Sequence, residues 1–202
     1  MKKYLFILIT SLLCTVSVSA ADTSAQAKKI LDKAAAKVTL STGATANFTI
    51  NGGKLGNQSG TIAVKGNKFN ARTANAIVWY DGKTQWLYNK KNEEVNVSTP
   101  SAATQQSMNP YKFLTMYKSG YNMSLEKTAA GENYIHLTGK GKSISEMYVL
   151  IDKAFNIKQV KMKQGNQWLT INIKGLKSKA MADNAFRFSA KDYPKAEVID
   201  LR

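Results

Sequence analysis

VWYDGKTQWLY, residues 78–88, places two tryptophans and two tyrosines around one Asp-Gly pair. Asp-Gly favours a two-residue β-turn. With Asp81 and Gly82 as that turn, Tyr80 faces Lys83, Trp79 faces Thr84 and Ile77 faces Trp86. Side chains alternate along a strand, so Ile77, Trp79, Trp86 and Tyr88 share one face of the ribbon and Val78, Tyr80, Gln85 and Leu87 the other. One face is almost wholly large and aromatic. A bulge at the turn would shift the register and undo this assignment. Such a face is either packed core or a surface for an apolar ligand, and the rest of the chain bears on the choice.

The same period of two runs outward in both directions. Upstream, Ala44, Ala46, Phe48 and Ile50 alternate with polar residues, NGGKLGN interrupts, and Gly60, Ile62 and Val64 resume, followed by Phe69, Ala71 and Thr73. Downstream come Val95 and Val97, Met123 and Leu125, Ile135 and Leu137, Met147 and Val149, Val160 and Met162, then Leu169, Ile171 and Ile173. QGN at 164–166 is a hairpin signal. Phe186 and Phe188 mark a late strand, and Val198 to Leu201 an edge. Short turns without crossover helices make the sheet antiparallel, with roughly eleven strands.

Two segments read as helices. From Thr23 to about Val38, Ala27, Ile30, Leu31, Ala34 and Val38 recur at helical spacing behind a Thr23 or Ser24 cap. This narrow, alanine-rich side suits close packing on a sheet. Asn109-Pro110 opens a short amphipathic helix that puts Phe113, Leu114 and Tyr117 on one face and ends near Gly120. The fold class is mainly β (α+β), in one domain spanning residues 21–202.

Residues 1–20 form a secretory signal peptide: Lys2 and Lys3, an apolar run, then Val18-Ser19-Ala20, with cleavage after Ala20 or Ala21. The lone cysteine, Cys14, follows Leu13, whereas a lipoprotein signal wants a small residue there. The exported chain thus has no thiol for a disulfide or a nucleophile. A bacterial periplasm is the expected compartment.

The formal charge is +16, or +14 without Lys2 and Lys3. In an exported chain without a recognition helix this does not indicate nucleic acid; it fits a solvated lysine surface or attraction to anionic headgroups or an acidic partner. Residues 153–182 carry lysines and no acid. Within them Lys161 and Lys163 share a face opposite Val160 and Met162, so Lys158, Lys161 and Lys163 are a candidate docking surface.

Catalysis has little to work with. His136 is the lone histidine, which leaves a metal site or a Ser-His nucleophile without support. GKGKS at 139–143 is no P-loop, because His136 stands where its first glycine belongs. Glu93 and Glu94, adjacent on a strand, point to opposite faces. The chain is expected to be no enzyme and to need no cofactor or metal.

DGKTQWLYN at 81–89 resembles the D-G-K-T-x-W-x-Y-N of the outer-membrane lipoprotein carrier family LolA. The order of the pieces adds to the likeness: the signal peptide and first helix, NFTINGGKLGNQSGTIAVKGNKF as a first hairpin, NPYKFLTMYKSGY as an inserted helix, and NAFRFSAKDYPKAEVID as a C-terminal strand and tail. The resemblance implies a curved, incompletely closed antiparallel barrel with helices covering its concave face, where acyl chains of lipoproteins bind. Phe48, Ile50, Ile62, Phe69, Ile77, Trp79, Trp86, Tyr88 and Met147 are then the expected cavity lining, and Ile30, Leu31, Phe113, Leu114 and Tyr117 the expected lid. It also implies a monomer that receives cargo from an inner-membrane lipoprotein-releasing ABC transporter (LolCDE-like) and passes it to an undefined outer-membrane acceptor. Other readings are the same fold holding another amphiphile, or an envelope sensor without lipid. The family's Arg-Pro-x-x-Phe-x-Trp is replaced by Lys65, Gly66, Asn67, Lys68, Phe69, Asn70 and Ala71, which marks a divergent branch. Lys65 stands where the family's arginine latches the lid, and a flexible ammonium cannot fork to several acceptors as a guanidinium does.

Overall fold

The computed structural model describes residues 20–38, 42–53, 56–101, 104–105 and 115–202. Helix α1 runs Ala20–Val38. It is already under way at Ala20, so Thr23 and Ser24 lie inside it and do not cap it. Ala27, Leu31, Ala34 and Ala35 are its buried positions, at the three- and four-residue steps of one helix face.

Among the described residues twelve strands follow in one sheet. They are β1 (Ala44–Gly52), β2 (Gln58–Lys65), β3 (Lys68–Thr73), β4 (Ala76–Tyr80), β5 (Gln85–Asn89) and β6 (Glu94–Ser98). Then come β7 (Asn122–Lys127), β8 (Asn133–Thr138), β9 (Ile144–Ile151), β10 (Ile157–Gln164), β11 (Gln167–Ser178) and β12 (Glu197–Asp200). The spatial order is β12-β6-β5-β4-β3-β2-β1-β11-β10-β9-β8-β7, open at both ends. Neighbours are antiparallel, as the short turns require, except that β12 adds to β6 in parallel. The expected QGN hairpin is there, with Gln164 opposite Gln167 across β10 and β11.

Three further expectations are corrected. The Asp81-Gly82 turn is a four-residue loop, with Tyr80 opposite Gln85, Trp79 opposite Trp86 and Ile77 opposite Tyr88. The Asp81 carboxylate closes it by accepting the backbone N–H groups of Lys83 and Thr84 at 3.0 and 2.8 Å, which a two-residue turn leaves no room for. The register thereby moves by two, an even step, and the assignment of faces survives. Phe186 and Phe188 belong to no strand: a 3-10 turn at Asp183–Phe186 and irregular chain carry them across the sheet. Glu93 sits in a turn with φ 56° and only Glu94 enters β6.

Partners across the ladders sort the paired strand residues onto two faces. On one, α1 packs over Ile135, Leu137, Met147, Val149, Val160, Met162 and Leu169. We call this the helix side and the other the outer side. A second core lies on the outer side, where Ile77, Trp79, Tyr88, Val95 and Val97 are covered by Phe188, Tyr193 and Ala196 of the C-terminal segment.

Candidate functional site

The helix side is the candidate. Following the ladder from Leu87, the register runs to Val78, Ala71 and Ile62, each opposite the next. Beside this row Phe48 faces Ile173 and Ile50 faces Ile171. All eight side chains are half-buried, whereas those under α1 are closed from water. The result is a continuous apolar strip, aliphatic except for Phe48, next to the helix, across β5, β4, β3, β2, β1 and β11. It offers burial without hydrogen-bonding demands, which suits a flexible hydrocarbon chain.

The structure divides the nine expected lining residues between the two faces. Phe48, Ile50, Ile62, Phe69 and Met147 are on the helix side. Of these, Met147 lies in the core beneath α1 and Phe69 is buried with its ring centroid 5.5 Å from that of Tyr80, which leaves Phe48, Ile50 and Ile62 in the strip. Ile77, Trp79, Trp86 and Tyr88 are on the outer side. Trp79, 3 % exposed, meets Phe188 and Tyr193 at centroid distances of 5.8 and 5.5 Å, and Tyr88 meets Tyr193 at 4.9 Å. The aromatic face of the 78–88 hairpin is therefore packed core beneath the C-terminal segment and does not line the strip.

Val78, Leu87, Ile171 and Ile173 are the strip residues that the sequence reading did not single out. Parity had already set Val78 and Leu87 opposite the tryptophans. Once the tryptophans are assigned outward, that same alternation points to them.

Among the expected lid residues, Leu31 is buried in the core and Ile30 packs half-buried against it. Tyr117 is buried in a 3-10 turn at Met116–Lys118, and its hydroxyl donates to Asp32 of α1 at 2.6 Å. Burial, and then the Asp32 carboxylate, push the Tyr117 hydroxyl well above the ordinary tyrosine range. The Lys28 ammonium, and then this hydroxyl, hold Asp32 below the ordinary carboxylate range. Phe113 and Leu114 lie outside the described residues.

Lys65 latches a different element from the one expected. Its side chain is on the outer side, where Nζ donates to the Met181 carbonyl and to the Asp183 carboxylate, both at 2.9 Å. Lys68, directly opposite on β3, donates to the other Asp183 oxygen at 2.7 Å. Two ammonium groups on one hairpin thus fork over one carboxylate, as a single guanidinium would. What they hold is the C-terminal segment.

Lys161 and Lys163 are also on the outer side, over the Trp168 ring at 4.6 and 5.9 Å to its centroid, and Lys158 is exposed. His136 stacks on Tyr148 at 4.3 Å and lies 3.0 Å from Glu146, as a histidine satisfied by its strand neighbours. Among the described residues no group of His, Cys, Asp and Glu is placed to hold a metal, and no helix is long and apolar enough to cross a membrane.

A family model described as "Outer membrane lipoprotein carrier protein LolA" matches residues 17–166. No curated protein matches the sequence. An uncharacterized conserved protein from Thermus thermophilus is similar in structure, with TM-score 0.59 and 14% identity over 87% of this chain and 99% of that one. A LolA superfamily protein from Nitrosomonas europaea gives TM-score 0.44 and 11% identity over 80% and 97%. A putative outer membrane lipoprotein-sorting protein domain from Vibrio parahaemolyticus gives 0.45 and 11% over 84% and 97%. At these identities the likeness to the Thermus protein is one of fold.

Proposed function

Because the chain belongs to the family of the outer membrane lipoprotein carrier protein LolA, we propose that it is a periplasmic carrier that shields the acyl chains of lipoproteins on the helix side of its sheet. The observation that carries this reading is the half-buried aliphatic strip from Leu87 to Ile62, with Phe48, Ile50, Ile171 and Ile173 beside it. A surface of this kind is poorly satisfied in water and accepts more cover. Each methylene moved out of water contributes about 0.8 kcal/mol, so a chain of about 15 methylenes gains on the order of 10 kcal/mol. A fully enclosed cavity would retain such a chain. A strip that stays half-buried beside α1 leaves it a route out to an acceptor, with no energy source in the carrier itself.

The other roles follow from this reading. A LolCDE-like transporter in the inner membrane supplies the cargo, and an acceptor at the outer membrane receives it from a monomeric carrier. Lys158, Lys161 and Lys163, away from the strip, provide the basic surface for docking. No group in the strip is arranged for bond-making chemistry, and the protein acts as a carrier and not an enzyme. The strip also lacks a polar group to select a headgroup, which favours, as a second reading, cargo of another amphiphilic class.

Native mass spectrometry of the protein isolated from its own periplasm tests this. Lipoprotein adducts are expected. Small-lipid adducts alone would move the assignment to the second reading, and a uniformly bare protein would remove both in favour of an envelope interaction module.

A further inference from the structure

The C-terminal segment does more than cover the outer aromatic core. Where it leaves β11 it crosses β1, β2 and β3, and between it and the sheet is a cleft of about 240 Å³. This is far larger than the space one water needs. Thr45, Thr61, Asn70 and Arg72 line it from the sheet and Lys179 from the segment, with Met181 and Ala185 supplying apolar wall. Among the described residues no acidic side chain lines it.

The polar groups here are mostly donors, and they are short of acceptors. Asn70 is buried, and its Oδ1 accepts from Arg72 Nε at 3.0 Å. Its Nδ2 is also buried and has no hydrogen-bond partner among the described residues. A buried donor without an acceptor is costly, and native structures rarely tolerate one. Arg72 is held in place by Asn70, by the Trp79 ring at 5.8 Å and by the Tyr193 hydroxyl at 3.5 Å from Nη1. Neither Arg72 nor Lys179 has a carboxylate within ion-pair distance among the described residues. Asp183, the acid carried by the adjoining segment, is engaged by Lys65 and Lys68.

We propose that this cleft is a binding site for a phosphate group. A carboxylate is planar and a single guanidinium satisfies it. Donors arriving from both walls, namely a guanidinium, an ammonium, an amide and two hydroxyls, match an anion with acceptor oxygens on several sides. Entry of the phosphate brings an acceptor to the Asn70 amide and counter-charge to Arg72 and Lys179. Because Lys179 and Arg72 belong to opposite walls, the bound anion also ties the C-terminal segment to the sheet. The phosphate is either free or the headgroup of a short stretch of lipid, and the site does not depend on the carrier reading.

The test is a ¹H–¹⁵N NMR titration of the purified protein with sodium phosphate, against sodium chloride at equal ionic strength, repeated with dihexanoyl phosphatidylglycerol below its micelle concentration. We expect saturable shifts of the Asn70 side-chain amide and of the Thr61 and Met181 backbone amides, at least tenfold weaker in Arg72→Gln. Saturation by phosphate assigns a free anion, and saturation by the lipid alone assigns a headgroup; both support the site. Lys179→Gln, at an exposed position, should weaken binding without altering the melting temperature, which separates loss of binding from loss of fold. Equal shifts in chloride, or unchanged affinity in both variants, would overturn the proposal.

Discussion

The sheet has two covers, and they lie on opposite faces. α1 covers the β7–β11 half on the helix side, and the C-terminal segment covers β4, β5 and β6 on the outer side. The helix repeats its contacts every three or four residues and does so with small side chains: Ala27 and Ala34 bring its backbone close to aliphatic partners. The segment has no such period. It attaches through separate large anchors, Phe186, Phe188 and Tyr193, and through ion pairs from Asp183 to Lys65 and Lys68 and from Arg187 to Asp81. A regular element spreads its stability over a stripe, whereas an irregular one concentrates it in a few residues. β4 is where the cover changes face: AIVWY buries Ile77 and Trp79 outward and Tyr80 on the helix side. An unbroken apolar run of this kind is what a strand buried on both faces requires. Between the two covers the helix side keeps its half-buried strip.

The comparison can be broken most forcefully at the segment. Trp79→Ala should destabilise the protein by about 3–5 kcal/mol in urea denaturation, since it removes the ring that two tail aromatics meet. A loss below about 1 kcal/mol would mean that the segment is decoration and not cover. The helix offers a smaller effect of opposite kind. Ala34→Leu adds bulk where close approach depends on a methyl group, and should cost about 1–3 kcal/mol by overpacking. A neutral result would show that α1 rides higher on the sheet than its alanines suggest.

The smallest effect is electrostatic and sharpens the contrast, because the segment relies on ion pairs more than the helix does. Lys68, and then Lys65, lower the Asp183 carboxyl from 3.8 to about 2. Its folded pKa lies below its unfolded value, so its contribution is present above about pH 4 and disappears as pH falls toward 2. The carboxylate is exposed and the effect on global stability is small, but the segment should become more sensitive to an acid-active protease across that window. Asp183→Asn should abolish the pH dependence while leaving an Ala34→Leu defect untouched.

Much of the fold was legible in the sequence because alternation and turn residues are local. The faces of the 78–88 hairpin were readable even though its register was not, since Asp81 capping lengthened the loop by an even number of residues. The identity of the face against which each aromatic packs was not legible. That depends on Phe188 and Tyr193, more than a hundred positions away, whose segment has neither helical nor strand period. For the same reason alternation in the sequence places Phe48, Ile50 and Ile62 on one face, the helix side where the proposed strip lies. Val78 and Leu87 were passed over because larger neighbours on the opposite face drew the reading. Lys65 aligns with the family's latch arginine in sequence, but what it holds here is set by the tertiary path of residues 181–183.

All three tryptophans, Trp79, Trp86 and Trp168, are on the outer side, while the proposed acyl strip is on the helix side. This allows one direct test of the central claim. A doxyl-labelled fatty acid should broaden the methyl NMR signals of Ile62, Val78, Leu87, Ile171 and Ile173 by paramagnetic relaxation and leave the three indole N–H signals sharp. Broadening of the Trp79 and Trp86 indoles with the strip methyls unaffected would place the ligand under the C-terminal segment and contradict the account.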